Sequence, residues 1–140
     1  MERIFVKGLF VLFLFVVSCS DNESGNKEVS ASHLIGSWSR TVENSEGKTI
    51  ETYMFTNASD YTHSYQVYGF GHGPVTELGY ETEDSGDFRV EGDSLFLEPN
   101  GATGNFSTQF WVNENALYFR YTSSPADAPV TSQLHYDRVD

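Results

Sequence analysis

Among its 140 residues the chain has one cysteine, Cys19. No disulfide can form within it, so the folded part must be held by its core. Basic residues are also scarce, with 8 Lys+Arg against 20 Asp+Glu and a formal net charge of -12. That balance repels phosphate backbones and argues against a nucleic-acid partner, and an acidic surface of this kind resists self-association, so a monomer is expected. No apolar run reaches the roughly 20 residues a spanning helix needs. The longest, from Leu9 to Val17, is far shorter. Chemical motifs are missing as well. The histidines His33, His63, His72 and His135 show no metal-ligand spacing. There is no Gly-x-Ser-x-Gly elbow. The glycines of Gly69-Phe70-Gly71-His72-Gly73-Pro74 are followed by neither a helix nor a lysine, which excludes a phosphate loop. No catalytic residue, metal or cofactor is expected, and nothing in the chain asks for an enzyme.

What is present begins with an address. Arg3 and Lys7 precede the apolar run from Leu9 to Val17, the layout of a secretory signal over residues 1–18. Val16-Val17-Ser18-Cys19 resembles a bacterial lipobox, which implies that Cys19 is lipidated, for instance with palmitate, and becomes the new N-terminus. Several acyl chains on one residue give stable anchoring. Loss of Arg3, Lys7 and Glu2 with the leader makes the remainder one unit more negative, at -13. Residues 19–33 then read as the lipidated cysteine and a flexible polar linker. Its start, Ser20-Asp21-Asn22-Glu23, looks like the acidic run that in Bacteroidetes lipoproteins directs export to the cell surface. The expected location is the outer membrane, on its periplasmic or surface face. Ser30 to Leu34 is expected to form one capped helical turn with Leu34 as a plug and His33 exposed.

From Ile35 onward no window carries a helical period, and turn signals recur every 8 to 16 residues. They include Asn44 to Gly47, Asp84-Ser85-Gly86, Gly92-Asp93 and Ser123 to Pro129. Eight such signals bound nine strands. The pattern predicts an all-β domain over residues 34–140, an antiparallel up-and-down barrel of about eight or nine strands. Alternation places Trp38, Arg40 and Val42 on one face of the first strand and Tyr61, His63, Tyr65 and Val67 on one face of the third. Phe88, Val90, Leu95, Leu97, Phe106, Thr108, Phe110, Val112, Leu117, Phe119, Tyr121, Leu134, Tyr136 and Arg138 continue the inner face. The second strand is ambiguous, since Tyr53 and Phe55 oppose Ile50 and Met54, and so is the fourth. Glu83-Asp84 and Asp137 to Asp140 are expected at turns or the terminus, in solvent.

Gly36-Ser37-Trp38, with Arg138 two residues from the C-terminus, resembles the opening motif and closing arginine of the lipocalins and of the lipocalin-like lipoproteins of Bacteroidetes-type bacteria. The resemblance covers about Leu34 to Val139. It implies structural roles for Gly36, Trp38 and Arg138, with the glycine admitting a close start to the first strand and the guanidinium packing over the indole on the barrel floor. Arginine stacks where lysine does not.

Without the leader the domain keeps 7 Phe, 8 Tyr and 2 Trp. These rings either fill the core or line a cavity that holds one small ligand. The residues expected to bind such a ligand are Tyr65, Phe110 and Tyr121, with Arg40 as partner for an acidic head group. His63 reads as a hydrogen-bonded core or rim histidine rather than a haem ligand, and His72 sits in a long hairpin turn or lid. Two functions remain open. One is an anchored envelope protein that binds a small apolar or amphipathic molecule. The other is a filled barrel whose outer face meets a protein partner.

Overall fold

The computed structural model describes residues 30–57, 59–101, 104–123 and 129–140. The expected signal segment, Cys19 and the linker as far as residue 29 lie outside the described residues, as does most of the turn expected at Ser123 to Pro129. A 3-10 turn over Ala31–His33 opens the described part, capped by Ser30, whose side chain accepts from the Ser32 amide. Eight strands follow: β1 (Gly36–Asn44), β2 (Gly47–Phe55), β3 (Asp60–Gly69), β4 (Leu78–Glu91), β5 (Ser94–Pro99), β6 (Phe106–Asn113), β7 (Ala116–Ser123) and β8 (Val130–Arg138). Each pairs antiparallel with the next, and β8 returns to β1, closing an up-and-down barrel. Closure leaves no strand without a neighbour on both sides.

Eight strands fall within the eight or nine expected, one fewer than the turn signals alone would bound, because Asp84-Ser85-Gly86 is not a turn. These residues lie inside β4, where Gly86 pairs with both Tyr61 of β3 and Pro99 of β5. A Cβ at Gly86 would run into the Glu98 carbonyl, so this glycine permits close approach of β5 rather than a change of direction. The turn at Gly92-Asp93 is as expected, with Glu91 paired to Ser94 and Gly92 in the left-handed region at φ 61. At the β1–β2 hairpin Asn44 Oδ1 accepts from the Glu46 and Gly47 amides at 2.8 and 3.2 Å, which fixes the turn.

The lower half of the barrel is packed solid. Leu34, Trp38, Leu95, Leu117 and Tyr136 are wholly buried, with Phe55, Phe110 and Phe119 nearly so. Each such side chain contributes about 1.5–3 kcal/mol of transfer free energy. Leu34 plugs the floor as expected, and its carbonyl accepts from Trp38 Nε1 at 2.7 Å. Arg138 lies over the Trp38 ring, 4.9 Å from its centroid, and donates from Nη2 to the Ile35 carbonyl at 2.7 Å. The ambiguity in β2 resolves with Tyr53 and Phe55 inside and Met54 outside. Val42, Phe106 and Tyr121, expected in the core by alternation, stand at the upper end and stay 41–46 % exposed. Shear carries them above the packed layers, so alternation gives their face but not their depth. On the outer wall Trp111, Tyr118 and His135 stack in register across β6, β7 and β8, with centroids 5.0 and 4.9 Å apart. Arg120 lies over Trp111.

Truncating Trp38 removes the central floor residue and one hydrogen bond. Trp38→Ala should cost about 3–5 kcal/mol in urea unfolding. Arg138→Lys should cost about 0.5–2 kcal/mol, since an ammonium cannot stack and fork together. An unchanged midpoint in both variants would mean that the floor pair does not hold the barrel.

Candidate functional site

Above the packed floor, the inward row contributed by β1 to β4 turns polar. Register aligns Arg40 with Glu51 and Glu51 with Tyr65, and one row lower it aligns Tyr53 with His63 and His63 with Asp84. Their side chains meet inside the barrel. His63 bridges two carboxylates, Nε2 to Glu51 Oε1 at 3.2 Å and Nδ1 to Asp84 Oδ2 at 3.1 Å. Tyr136, from β8 on the far side of β1, donates its hydroxyl to Glu51 Oε2 at 2.8 Å. The Tyr53 ring stacks on the His63 imidazole with centroids 4.3 Å apart. Arg40 stands 3.8 Å from Glu51 and is about one-third exposed. Among the described residues no buried side-chain polar atom lacks a partner.

Each pKa in this girdle records the balance between burial and partners. Burial alone would raise Glu51, but hydrogen bonds from His63 and Tyr136 and the charges of His63 and Arg40 outweigh it and hold the carboxyl below its ordinary value. Burial alone would lower His63, yet its bonds to Glu51 and Asp84 and their charges raise it. The phenols of Tyr53 and Tyr136 are pushed up, first by burial and then by the Glu51 charge. Tyr61 is pushed up to about 12 by burial and by Asp84. Below the raised His63 value the girdle is a charged assembly in which the imidazolium neutralises parts of two carboxylates.

Above the girdle lies an open recess of about 430 Å³ on the inner face of the β2–β3–β4 sheet. Thr49, Tyr65, Val67 and Tyr80 form its floor and walls, and Phe70 and His72 reach over it from the β3–β4 connection. His72 and Tyr80 rings lie 5.7 Å apart, tying that loop to β4. Phe70 is held in the left-handed region at φ 49, with its amide bonded to the Glu46 carbonyl.

The four residues expected to bind a ligand do not converge. Tyr65 lines the recess, and Arg40 faces the interior two strands away in the same row. Phe110 is 2 % exposed within the packed core. Tyr121 lines a separate depression of about 310 Å³ beside Thr108 and Arg120. Glu83, Asp84, Asp137 and Asp140 are exposed as expected, although Glu83 and Asp84 lie within β4 rather than at a turn, and Asp84 and Asp140 are also bonded. Asp84 holds His63, and Asp140 accepts from Arg138 Nε at 2.9 Å and from the Ser37 amide at 3.0 Å. Sequence reasoning missed Glu51 and Asp84. Placing Tyr53 and Phe55 inward would have put Glu51 on the same face, and an interior that holds Arg40 and His63 calls for carboxylates. Among the described residues no cluster of His, Cys, Asp and Glu has the makings of a metal site, and no helix is long and apolar enough to cross a membrane. No family model matches the chain, and neither a curated protein nor a solved structure is found to be similar to it.

The girdle makes stability depend on pH in a definite sense. His63, raised in the fold, contributes fully below its ordinary value near 6.5 and loses that contribution as pH climbs through the raised value. Glu51, lowered in the fold, contributes above its ordinary value near 4.5 and loses it as pH falls. The melting temperature should therefore crest between about pH 4.5 and 6.5 and decline on the alkaline side. In His63→Gln that alkaline decline should flatten. A wild-type curve that rises from pH 6.5 to 8 would contradict the charged girdle.

Proposed function

We propose that this chain is a lipid-anchored cell-envelope lipoprotein whose lipocalin-like barrel binds a small apolar or amphipathic molecule, without covalent chemistry, at its open end. The observation that carries the reading is the recess of about 430 Å³ walled by Tyr65, Val67, Phe70 and Tyr80. Ligand pockets begin at about 300 Å³ and combine apolar walls with a few placed polar groups. Here the polar groups are the Thr49, Tyr65 and Tyr80 hydroxyls and the His72 ring. Arg40 lies outside this lining, two strands from Tyr65 in the same row, and among the described residues makes one long ion pair and no hydrogen bond, so a guest long enough to span that distance would meet a free fork of donors. The lipocalin-like assignment draws support from Arg138 stacked over Trp38 beside Gly36. Support for the signal segment comes from Arg3, Lys7 and the run from Leu9 to Val17, for anchoring from the lipobox at Cys19, and for the outer-membrane location from the lipobox with Ser20 to Glu23.

The rival reading is an interaction module without a ligand. It draws on the solid lower barrel and on the outward stack of Trp111, Tyr118 and His135.

Residues 20–140, without the expected leader and the lipobox cysteine, give a preparation that carries no acyl anchor. After incubation with an envelope extract, native mass spectrometry should show an added mass of a few hundred daltons that is lost on denaturation. Thr49→Trp, which plugs the recess, should weaken that binding tenfold or more, about 1.4 kcal/mol. A clean apo mass across extracts would leave the interaction module. Separately, the full chain should incorporate an alkynyl palmitate label, and Cys19→Ser should abolish it. Labelling that survives this change would remove the anchor.

A further inference from the structure

A second cavity lies lower on the same side, where β4 and β5 part. Its volume is about 140 Å³, close to the roughly 150 Å³ that accommodates a benzene ring. None of its lining residues lines the larger recess. Three aromatic rings face it, from Tyr53, Tyr61 and Phe106, and Leu97 closes its base. At its polar end stand His63 and Asp84, and no Lys or Arg lines it.

The electrostatics of this wall are lopsided. Glu51 takes bonds from both His63 and Tyr136 and has Arg40 near by. Among the described residues Asp84 shares His63 but has no second cation, and its side chain is about half exposed beside the cavity. Burial, and after it the charge and hydrogen bonding of Asp84, push the Tyr61 phenol up to about 12. The π-faces of tyrosine and phenylalanine attract cations. The whole chain adds a net charge of -12, which draws cations and repels anions.

From this geometry we propose that the side cavity is a binding site for a small organic cation, an ammonium group on a body about the size of one ring. The ammonium bonds the Asp84 carboxylate, and the body lies among Tyr53, Tyr61 and Phe106. A carboxylate guest would face Asp84 directly. A neutral guest of the same shape would forgo both the ion pair and the attraction of the ring faces. The site stands apart from the recess above it, so a molecule bound there leaves this one accessible.

The test uses the full-length protein in non-ionic detergent micelles, titrated with benzylammonium, benzyl alcohol and benzoate. Calorimetry should show saturable binding of benzylammonium at least tenfold tighter than of either analogue. Amide shifts in an NMR spectrum should cluster on β3, β4 and β6. Asp84→Asn should weaken benzylammonium tenfold or more and leave benzyl alcohol unchanged. If Asp84→Asn does not fold, Phe106→Ala at a half-exposed position removes one ring wall and should weaken benzylammonium severalfold. Thr49→Trp, which plugs only the upper recess, should leave benzylammonium binding intact, so loss of the recess ligand and loss of this site are read separately. Equal affinity for all three probes, or full affinity in both Asp84→Asn and Phe106→Ala, would overturn the proposal.

Discussion

The guanidinium of Arg138 lying over the indole of Trp38 is the contact on which the barrel's closure depends. β1 and β2 are in register from Gly36 to Asn44, whereas β1 and β8 meet at Trp38↔Arg138 and Ser39↔Asp137 alone. So short a ladder would be a weak clasp. Side chains and termini reinforce it. Arg138 reaches back to the Ile35 carbonyl, Asp140 caps the Ser37 amide while holding Arg138, and the Val139 amide bonds the Ser37 carbonyl. The Arg138 amide also reaches the Asn115 carbonyl in the β6–β7 turn, which extends the β7–β8 ladder by one bond beside the seam. Lysine could supply the charge but neither the plane nor the fork.

With the floor fixed, the interior can hold a charged layer that would otherwise be too costly. Removing ions from water carries a penalty of several kcal/mol each unless geometry and further hydrogen bonds repay it. Here His63 is stacked on Tyr53 and bonded on both nitrogens, and Glu51 accepts from two directions. Arg40 and, below its raised value, a protonated His63 balance Glu51 and Asp84 in sign. Partial exposure of Arg40 and Asp84 lowers the cost further. The layer separates a dry floor from a mouth whose surfaces are aromatic, and it makes the mouth the part of the barrel where polarity and space coincide.

Much of this was legible in the sequence, and the failures share a cause. Trp38, Phe88, Leu95, Leu97, Phe110, Leu117, Phe119 and Tyr136 announce themselves by a period of two, because burial on one face of a pleated strand demands it. The Gly92-Asp93 hairpin is equally local. Asp84 was misread because Asp-Ser-Gly is turn chemistry, and only the approach of β5 explains why glycine stands there within a strand. Tyr121 and Phe110 share an alternation pattern yet differ in depth, since tilt and shear are properties of the closed sheet and not of any one strand. The convergence of Glu51, His63, Asp84 and Tyr136 joins residues as much as 85 positions apart, through pairings no local window contains.

The unequal strand lengths have a mechanical consequence. β5 pairs with β4 from Gly86 to Glu91, so the Leu78–Asp84 stretch pairs with β3 alone, and β1 above Ser39 pairs with β2 alone. The β1–β8 pairing ends at Ser39 and the β4–β5 pairing at Gly86, which register places level with Gly36. Above these pairings β1 to β4 form a four-stranded sheet with no ladder to β8 or β5 among the described residues, while β5 is paired with β4 along its whole length from Ser94 to Pro99. Bending the upper part of that sheet outward breaks side-chain contacts but no hydrogen bond of the described ladders. The vessel is thus stiff at its base and compliant at its lip, and it can admit a guest wider than its resting aperture without undoing any pairing. The same two free edges carry Glu43, Glu81 and Glu83, like charges that keep a second chain from adding a strand where the lip stands open.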